Sequence, residues 1–314
     1  MRKKMKLPTG PKTLATVLQQ PLNLSMHISS RHKGVLLALL AGASWGVISL
    51  FIRRLNAIGF SARDVAAMRS ILSALVLLAT VPFTPGKPLH LKLKDAWCVA
   101  GCGILSITLF NCCYFATMQR TTVNIAVVLL YTSPVFVTML SCAFFKECFT
   151  RRKLLALVMV IVGCVFVSGV IGSGNRLTPT VLCLGLCSGL FYALYSIFGR
   201  FAQQHGLDSF KITLWTFIFA GLAALFDLDW SNSLPLLSSP INWLVLVGLV
   251  LISTILPYYT YTAALKLLEP STAAIVVAIE PVVGSLVGIL LFHEAVSTSA
   301  LVGMVLVIGA MFLG

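Results

Sequence analysis

Two charged residues, Arg69 and Glu280, lie inside apolar segments of this 314-residue chain. A charge at the centre of a membrane helix costs about 2.5 to 3.5 kcal/mol on insertion scales, so such a residue is expected to face the protein interior or a water-filled cavity. Glu280 lies deep in the apolar segment 271–292, too far from either end for its short side chain to reach water. Arg69 lies near one end of its segment, and its long side chain could also reach the interface.

A carboxylate in a cavity of low dielectric can bind and release a proton, bind a substrate amine, or pair with a nearby guanidinium. We therefore predict that Glu280 supplies a coupling or cation-binding charge and that Arg69 steers or holds an anionic group of a substrate. A pairing of Glu280 with Arg69 remains an open alternative.

Proline follows a polar residue at two corresponding places, in Ser133-Pro134 and in Glu280-Pro281. Proline lacks an amide proton, so it frees a backbone carbonyl one turn upstream and kinks the helix. Freed backbone groups are tolerated in a membrane where they line a cavity, and paired breaks in two halves of a chain indicate a transporter binding site. We expect aromatic and polar side chains to complete this pocket: Trp45, Asn111, Tyr114, Tyr131, Tyr192, Tyr195, Tyr258 and Tyr261. Each of these alone also fits simple packing or an interfacial belt.

The second half of the chain matches the first when it is shifted by 147 positions without a gap. The identical pairs include Gly42 with Gly189, Ser49 with Ser196, Arg53 with Arg200, Ser106 with Ser253, Tyr114 with Tyr261, Pro134 with Pro281, and Glu147 with Glu294. Trp45 and Tyr192 also occupy corresponding positions, although the residues differ. Self-similarity at a fixed period is typical of a duplicated structural unit.

The composition excludes a soluble protein: 58% of the residues are hydrophobic, 10% are charged, and the mean hydropathy is +0.98. Runs long enough to cross a bilayer as helices predict an all-α membrane protein with ten transmembrane helices, at about 34–53, 64–83, 96–118, 122–145, 152–171, 178–199, 210–226, 241–265, 271–292 and 297–313. Five spans is an odd number, so two such halves enter the membrane from opposite sides. We therefore predict two inverted five-helix repeats, 34–171 and 178–314, after a basic disordered tail at 1–33.

Lysine and arginine favour cytoplasmic loops. With the N-terminus inside, 17 of the 23 basic residues fall on the cytoplasmic side, which predicts that both termini are cytoplasmic. The same dispersal argues against a nucleic-acid partner, because the basic residues lie in short loops and no patch of basic residues interleaved with aromatic ones is present. The tail shows no cleavable signal peptide; a transit segment, or a start at Met26, remains open.

We expect neither a metal nor another cofactor, because the nine cysteines lack histidine or carboxylate partners at ligand spacing. No intramembrane aspartate pair or serine and histidine arrangement supports an enzyme. Glu147 and Glu294 each end a predicted span shortly before the next begins, and we expect them to cap the following helices.

The chain from about 34 to 314 resembles the EamA family of the drug/metabolite transporter superfamily. The matching features are the arginine in the second span, the paired prolines and span-ending acids, and short motifs: Trp45-Gly46, Ser133-Pro134, Glu280-Pro281, Val162-Gly163 and Ile308-Gly309. The sixth span departs from the pattern, with Tyr192-Ala193 in place of Trp45-Gly46.

The resemblance implies an inverted-repeat transporter of the bacterial inner (plasma) membrane that exports amino acids or other small metabolites by alternating access. Its expected partners are a small-molecule substrate, protons and the lipid bilayer, with no oligomeric state indicated. A passive facilitator, or an importer of a nucleotide-like metabolite such as an S-adenosyl compound, is the alternative. An intramembrane enzyme or a scaffold is the competing class.

Overall fold

The computed structural model describes residues 30–83, 90–170, 177–295 and 297–313. Most of the expected tail, residues 1–29, lies outside this part of the chain. Residues 30–33, which belong to the same expected tail, form the first turn of the first helix.

Eleven helices make up the described residues: α1 (Ser30–Ile58), α2 (Ala62–Phe83), α3 (Leu93–Met118), α4 (Val123–Phe145), α5 (Arg151–Ser168), α6 (Pro179–Gln204), α7 (Ser209–Ala224), α8 (Trp230–Leu236), α9 (Pro240–Leu265), α10 (Pro270–Phe292) and α11 (Thr298–Met311). Seven of these are long and apolar enough to cross a membrane: α1, α2, α3, α4, α6, α9 and α10. The helices α7 and α11 are apolar but shorter, and α5 begins with three basic residues. The protein is therefore an all-helical, multi-pass membrane protein.

The 147-residue shift relates the helices as well as the sequence. The starts of α2 and α7, of α3 and α9, of α4 and α10, and of α5 and α11 are each separated by this number of residues. Irregular positions correspond too: the residues Lys146 and His293, which follow α4 and α10, both have left-handed backbones, with φ of 57° and 54°. The duplication is thus retained in local structure down to single residues.

Each half inserts its first helix into the other half. The helix α1 packs against α10 and the last part of α9, and its counterpart α6 packs against α4 and the last part of α3. Two further pairs of counterparts contact each other, α2 with α7 and α5 with α11. The space between α1, α6 and the two broken helices described below is consequently lined by both halves.

The expectation that Glu147 and Glu294 cap the following helices is wrong. The hydroxyls of Thr150 and Ser297 accept hydrogen bonds from the free amides at the starts of α5 and α11 instead. A hydroxyl directly before the first turn reaches its third amide, whereas both acids lie three residues further upstream and bind other partners.

Candidate functional site

Both prolines mark breaks in their helices. The helical hydrogen bonding of α4 is interrupted at Tyr131 and Thr132, and that of α10 at the corresponding Ala278 and Ile279. Helix resumes at Ser133 and Glu280, with Pro134 and Pro281 in the first new turn. Because proline donates no hydrogen bond, the carbonyls of Leu130 and Val277 lose their usual partners four residues on.

A glycine of the opposite half closes against each break. A β-carbon added at Gly42 in α1 would lie 2.7 Å from the carbonyl oxygen of Val277, and one added at Gly189 in α6 would lie 3.3 Å from that of Leu130. Only a residue without a side chain allows the backbones to approach this closely. This approach brings Trp45 and Tyr192, three residues beyond the glycines, to the centre of the protein.

A small central cavity lies between the breaks. Its free volume is about 20 Å³, enough for about one water molecule. The lining side chains come from α1, α3, α4, α6, α9 and α10: Trp45, Ser106, Tyr131, Ser133, Pro134, Val137, Tyr192, Tyr195, Ser196, Tyr258, Tyr261, Ala274, Val277, Ala278 and Glu280. Glu280 is the single charged residue among them.

Two tyrosines lie close to Glu280 in the cavity wall, Tyr131 in α4 and Tyr192 in α6. Arg69 in α2 is close enough to interact with Glu280 electrostatically, but within the described part of the chain no ion pair of 4 Å or less joins them. The Arg69 side chain is buried, and its Nε has no hydrogen-bond partner there. Direct pairing therefore does not neutralise Glu280 in this conformation.

Aromatic rings form most of the cavity wall. The ring centroid of Trp45 lies 6.3 Å from that of Tyr192, 5.1 Å from Tyr258 and 5.6 Å from Tyr261. Such edge-to-face and tilted contacts fix ring orientation. Hydrogen bonds hold two of the tyrosine side chains, one of 2.8 Å between the hydroxyls of Tyr195 and Thr262, and one of 2.7 Å between those of Ser196 and Tyr261.

The structure brings together Glu280, Pro134, Trp45 and five of the tyrosines expected from the sequence: Tyr131, Tyr192, Tyr195, Tyr258 and Tyr261. The other expected site residues, Arg69, Asn111, Tyr114 and Pro281, do not line the cavity. Tyr114 lies beside Phe110, which contacts Tyr192, and Asn111 is half-buried in α3.

Sequence reasoning missed the small polar members of the wall, Ser106 and Ser196. A signal was present for both, because each is a serine conserved between the two halves under the 147-residue shift, at Ser253 and Ser49. Small hydroxyls conserved in this way inside apolar spans could have been added to the candidate site.

The arrangement suits binding rather than bond-breaking chemistry. A carboxylate beside the faces of aromatic rings attracts a cationic group, and the tyrosine hydroxyls near it can orient that group. Among the described residues no three histidine, cysteine or acidic side chains come together as metal ligands.

Comparisons with known proteins agree with this geometry. The model of the EamA-like transporter family matches residues 32–169 and again 179–313. A protein of Archaeoglobus fulgidus named "Uncharacterized transporter" is 27% identical over 286 residues, which cover 88% of this chain and 92% of that protein. Another "Uncharacterized transporter", from Clostridium kluyveri, is 23% identical over 76% of this chain and 78% of its own.

A solved structure, titled only "Crystal structure of protein", superposes with a TM-score of 0.74 over 89% of this chain and 95% of that one, at 16% identity. That likeness shows a shared fold. Since the family model accounts for nearly all of the described residues in two copies, the chain belongs to the EamA-like transporter family of the drug/metabolite transporter superfamily and is a membrane transporter rather than an enzyme.

Proposed function

We propose that this transporter is a secondary active exporter of small metabolites that carry an amine, and that it works by alternating access. In this proposal ten spans form two inverted five-helix repeats, 34–171 and 178–314, around the central cavity. The observation that carries the proposal is the cavity itself, where the single acid Glu280 begins the resumed part of a broken helix.

Contacts at the ends of two counterpart helices support the inversion. Glu147 follows α4, and its side chain accepts a hydrogen bond from Ser271 at the start of α10. The 23 residues of α10 span about 34 Å, so its two ends lie on opposite faces of the protein. Because α4 ends where its counterpart α10 begins, the two run in opposite directions.

The size of the cavity supports alternation. A volume of about 20 Å³ is too small for an amino acid and holds about one water. The conformation described here is therefore contracted around the site, and a substrate needs the halves to separate on one side at a time. Two similar halves in opposite orientations can exchange conformations in this way.

The two breaks offer different chemistry to a substrate. The shift places Ser133 opposite Glu280, so one break carries a hydroxyl where the other carries a carboxylate. Ser133 is 4% exposed and lines the cavity. It stands at the start of a helical segment, where the partial positive charge favours an anionic group. An amino acid fits this polarity, with its amine at Glu280 and its carboxylate at Ser133.

Orientation and location complete the proposal. The distribution of lysine and arginine supports cytoplasmic termini, and the family supports the bacterial inner membrane. Export coupled to protons would use Glu280 as the group that exchanges a proton for the substrate amine.

The test is transport by the purified protein in proteoliposomes with an imposed pH gradient. We expect Glu280→Gln to abolish uphill movement of amino acids, since the amide cannot carry the charge. Asp227→Asn, which removes an acid of the surface pair with Arg63, is the matched control. If a normally inserted Glu280→Gln protein still concentrates substrate under a proton-motive force, the coupling role is wrong.

The aromatic wall also favours a second candidate, a facilitator or importer of a nucleotide-like metabolite such as an S-adenosyl compound. Rings such as Trp45 and Tyr258 present faces on which a purine can stack. Counterflow of such a compound that is unchanged when the pH gradient is collapsed would support this alternative over proton-linked export.

A further inference from the structure

The two acids that follow the broken helices are counterparts, yet the structure gives them different surroundings. The side chain of Glu147 is buried, at 5% exposed, and it accepts a 2.5 Å hydrogen bond from the hydroxyl of Ser271. The Nζ of Lys153 lies 3.5 Å from Glu147, 2.5 Å from Glu269 and 2.8 Å from the Ser271 hydroxyl. These four residues form one connected network.

The network joins the two halves of the protein at one end of the bundle. In the first half, Glu147 lies between α4 and α5 and Lys153 lies in the first turn of α5; in the second half, Glu269 directly precedes α10 and Ser271 lies in its first turn. The side chain of Lys153 is only 10% exposed. Solvent therefore screens its contact with Glu147, whose side chain is 5% exposed, more weakly than its pair with Glu269, whose side chain is 56% exposed. Separating the halves at this end would break both contacts.

The described residues around Glu294, the counterpart of Glu147, show no such network. Glu294 pairs with Arg53 at 2.5 Å, but both side chains are about half exposed, at 47% and 49%. Exposed pairs of this kind contribute little because water and salt screen them. The guanidinium also stacks over the ring of Phe292, 4.3 Å from its centroid. At that end the halves are also joined by the pair of Arg63 with Asp227, whose side chains are 59% and 27% exposed, and by a hydrogen bond from the Asp229 amide to Asp64.

The sequence explains why the second end cannot repeat the first. Under the 147-residue shift Lys153 corresponds to Ala300, Glu269 to Thr122 and Ser271 to Asn124. Glu147 therefore has an identical counterpart in Glu294, whereas Lys153 and Glu269 have uncharged counterparts. The different surroundings of Glu147 and Glu294 therefore follow from the sequence and not merely from the conformation that the protein adopts.

We propose that Lys153, Glu147, Glu269 and Ser271 form a latch that holds one mouth of the central cavity closed. The resting protein opens more readily at the mouth flanked by Arg53 and Glu294, and the latch must release before the other mouth opens. This inference rests on the proposed alternating access, since it assigns each end of the bundle a different resistance to opening.

The test measures access to the cavity and needs no substrate. A reporter cysteine replaces Val137 in the cavity wall, in a background where the six cysteines that are not fully buried become alanine: Cys112, Cys113, Cys142, Cys148, Cys183 and Cys187. A membrane-impermeant thiol reagent is applied to sealed vesicles of each orientation. The labelling rate from the Lys153 side reports how often that mouth opens.

We expect Lys153→Met to raise labelling from the Lys153 side by about tenfold or more, and a tenfold change corresponds to about 1.4 kcal/mol. Lys153→Arg, which keeps the charge, should label more slowly than Lys153→Met. Arg53→Met at the other mouth should not raise labelling from the Lys153 side. Ser271→Ala removes only the bridging hydroxyl and should raise the labelling rate from the Lys153 side by less than Lys153→Met does. It tests the latch even if Lys153→Met fails to insert into the membrane.

Unchanged labelling from the Lys153 side in both Lys153→Met and Ser271→Ala would overturn the latch. If the rates change as expected but the protein moves no substrate, the latch stands and the proposed function fails. If substrate counterflow occurs with unchanged labelling rates, the latch fails and the proposed function stands.

Discussion

The close approach of Gly42 to the break in α10 gives a prediction whose size follows from the structure. A methyl group at this position would lie 2.6 Å from Cγ2 of Ile279 and 2.7 Å from the carbonyl oxygen of Val277. The oxygen belongs to the backbone of a helix packed on both sides, so it cannot move aside as a flexible side chain could. Gly42→Ala must therefore push α1 away from α10 or strain the break.

Overpacking of this kind costs about 1 to 3 kcal/mol. Alanine is also more favourable in a helix than glycine by about 1 kcal/mol. The control is therefore a second Gly→Ala change, at a helical site where the added methyl group causes no overpacking. Gly199 in α6 is that control: it is buried, but a methyl there would meet only the Cδ1 of Leu265 at an ordinary 3.4 Å. We expect Gly42→Ala to unfold with a free energy about 1 to 3 kcal/mol below that of Gly199→Ala.

The assay is unfolding of the detergent-solubilised protein by titration with sodium dodecyl sulfate, followed by tryptophan fluorescence. Gly189→Ala, the repeat counterpart, should resemble Gly42→Ala because its methyl would lie 2.6 Å from the Thr132 hydroxyl and 3.0 Å from the Leu129 carbonyl. Equal unfolding free energies for Gly42→Ala and Gly199→Ala would refute the reasoning that these glycines seat the first helices against the breaks.

Three further predictions use the same titration. Trp45→Ala should lower the free energy of unfolding by about 3 to 5 kcal/mol, because it removes a ring in contact with three tyrosines. Trp45→Phe should lower it less, and equal losses for the two variants would contradict a specific role for the rings. A double-mutant cycle of Ser196→Ala and Tyr261→Phe should give a coupling of about 0.6 and at most about 1.7 kcal/mol, whereas strict additivity would mean that the 2.7 Å hydrogen bond contributes nothing. Arg53→Ala should cost less than about 1 kcal/mol, since its pair with Glu294 is half exposed, and a larger loss would count against the difference between the two mouths.

The features that the sequence predicted well are those with a local physical cause. Pro134 and Pro281 break their helices because of what proline lacks, whatever surrounds it, and the breaks lie where the prolines indicate. The central placement of Glu280 followed from the cost of a charge deep in an apolar segment. Ten of the eleven described helices lie at apolar runs that hydropathy indicates, because the length of an apolar run depends only on the run itself; the short helix α8 was not predicted.

The parts that were missed depend on which way a helix face turns. Tyr114 and Tyr131 were equally good candidates, but Tyr131 lines the cavity whereas Tyr114 packs beside Phe110. Hydropathy carries little information on this point, because lipid-facing and protein-facing positions are both apolar. The Lys153 network could not be predicted either, since Lys153 and Glu269 are 116 residues apart and lie at the starts of two different helices.

The departures from symmetry between the two halves matter more for transport than the matches do. Two identical halves in opposite orientations would enclose a site with no chemical polarity, and their inward-open and outward-open states would have equal free energies. Ser133 opposite Glu280 gives the proposed site a polarity, and Lys153 opposite Ala300 gives the proposed latch to one mouth only. Moving the lysine of the latch to its counterpart position therefore tests what sets the resting conformation: Lys153→Ala with Ala300→Lys should reduce the difference in access between the mouths.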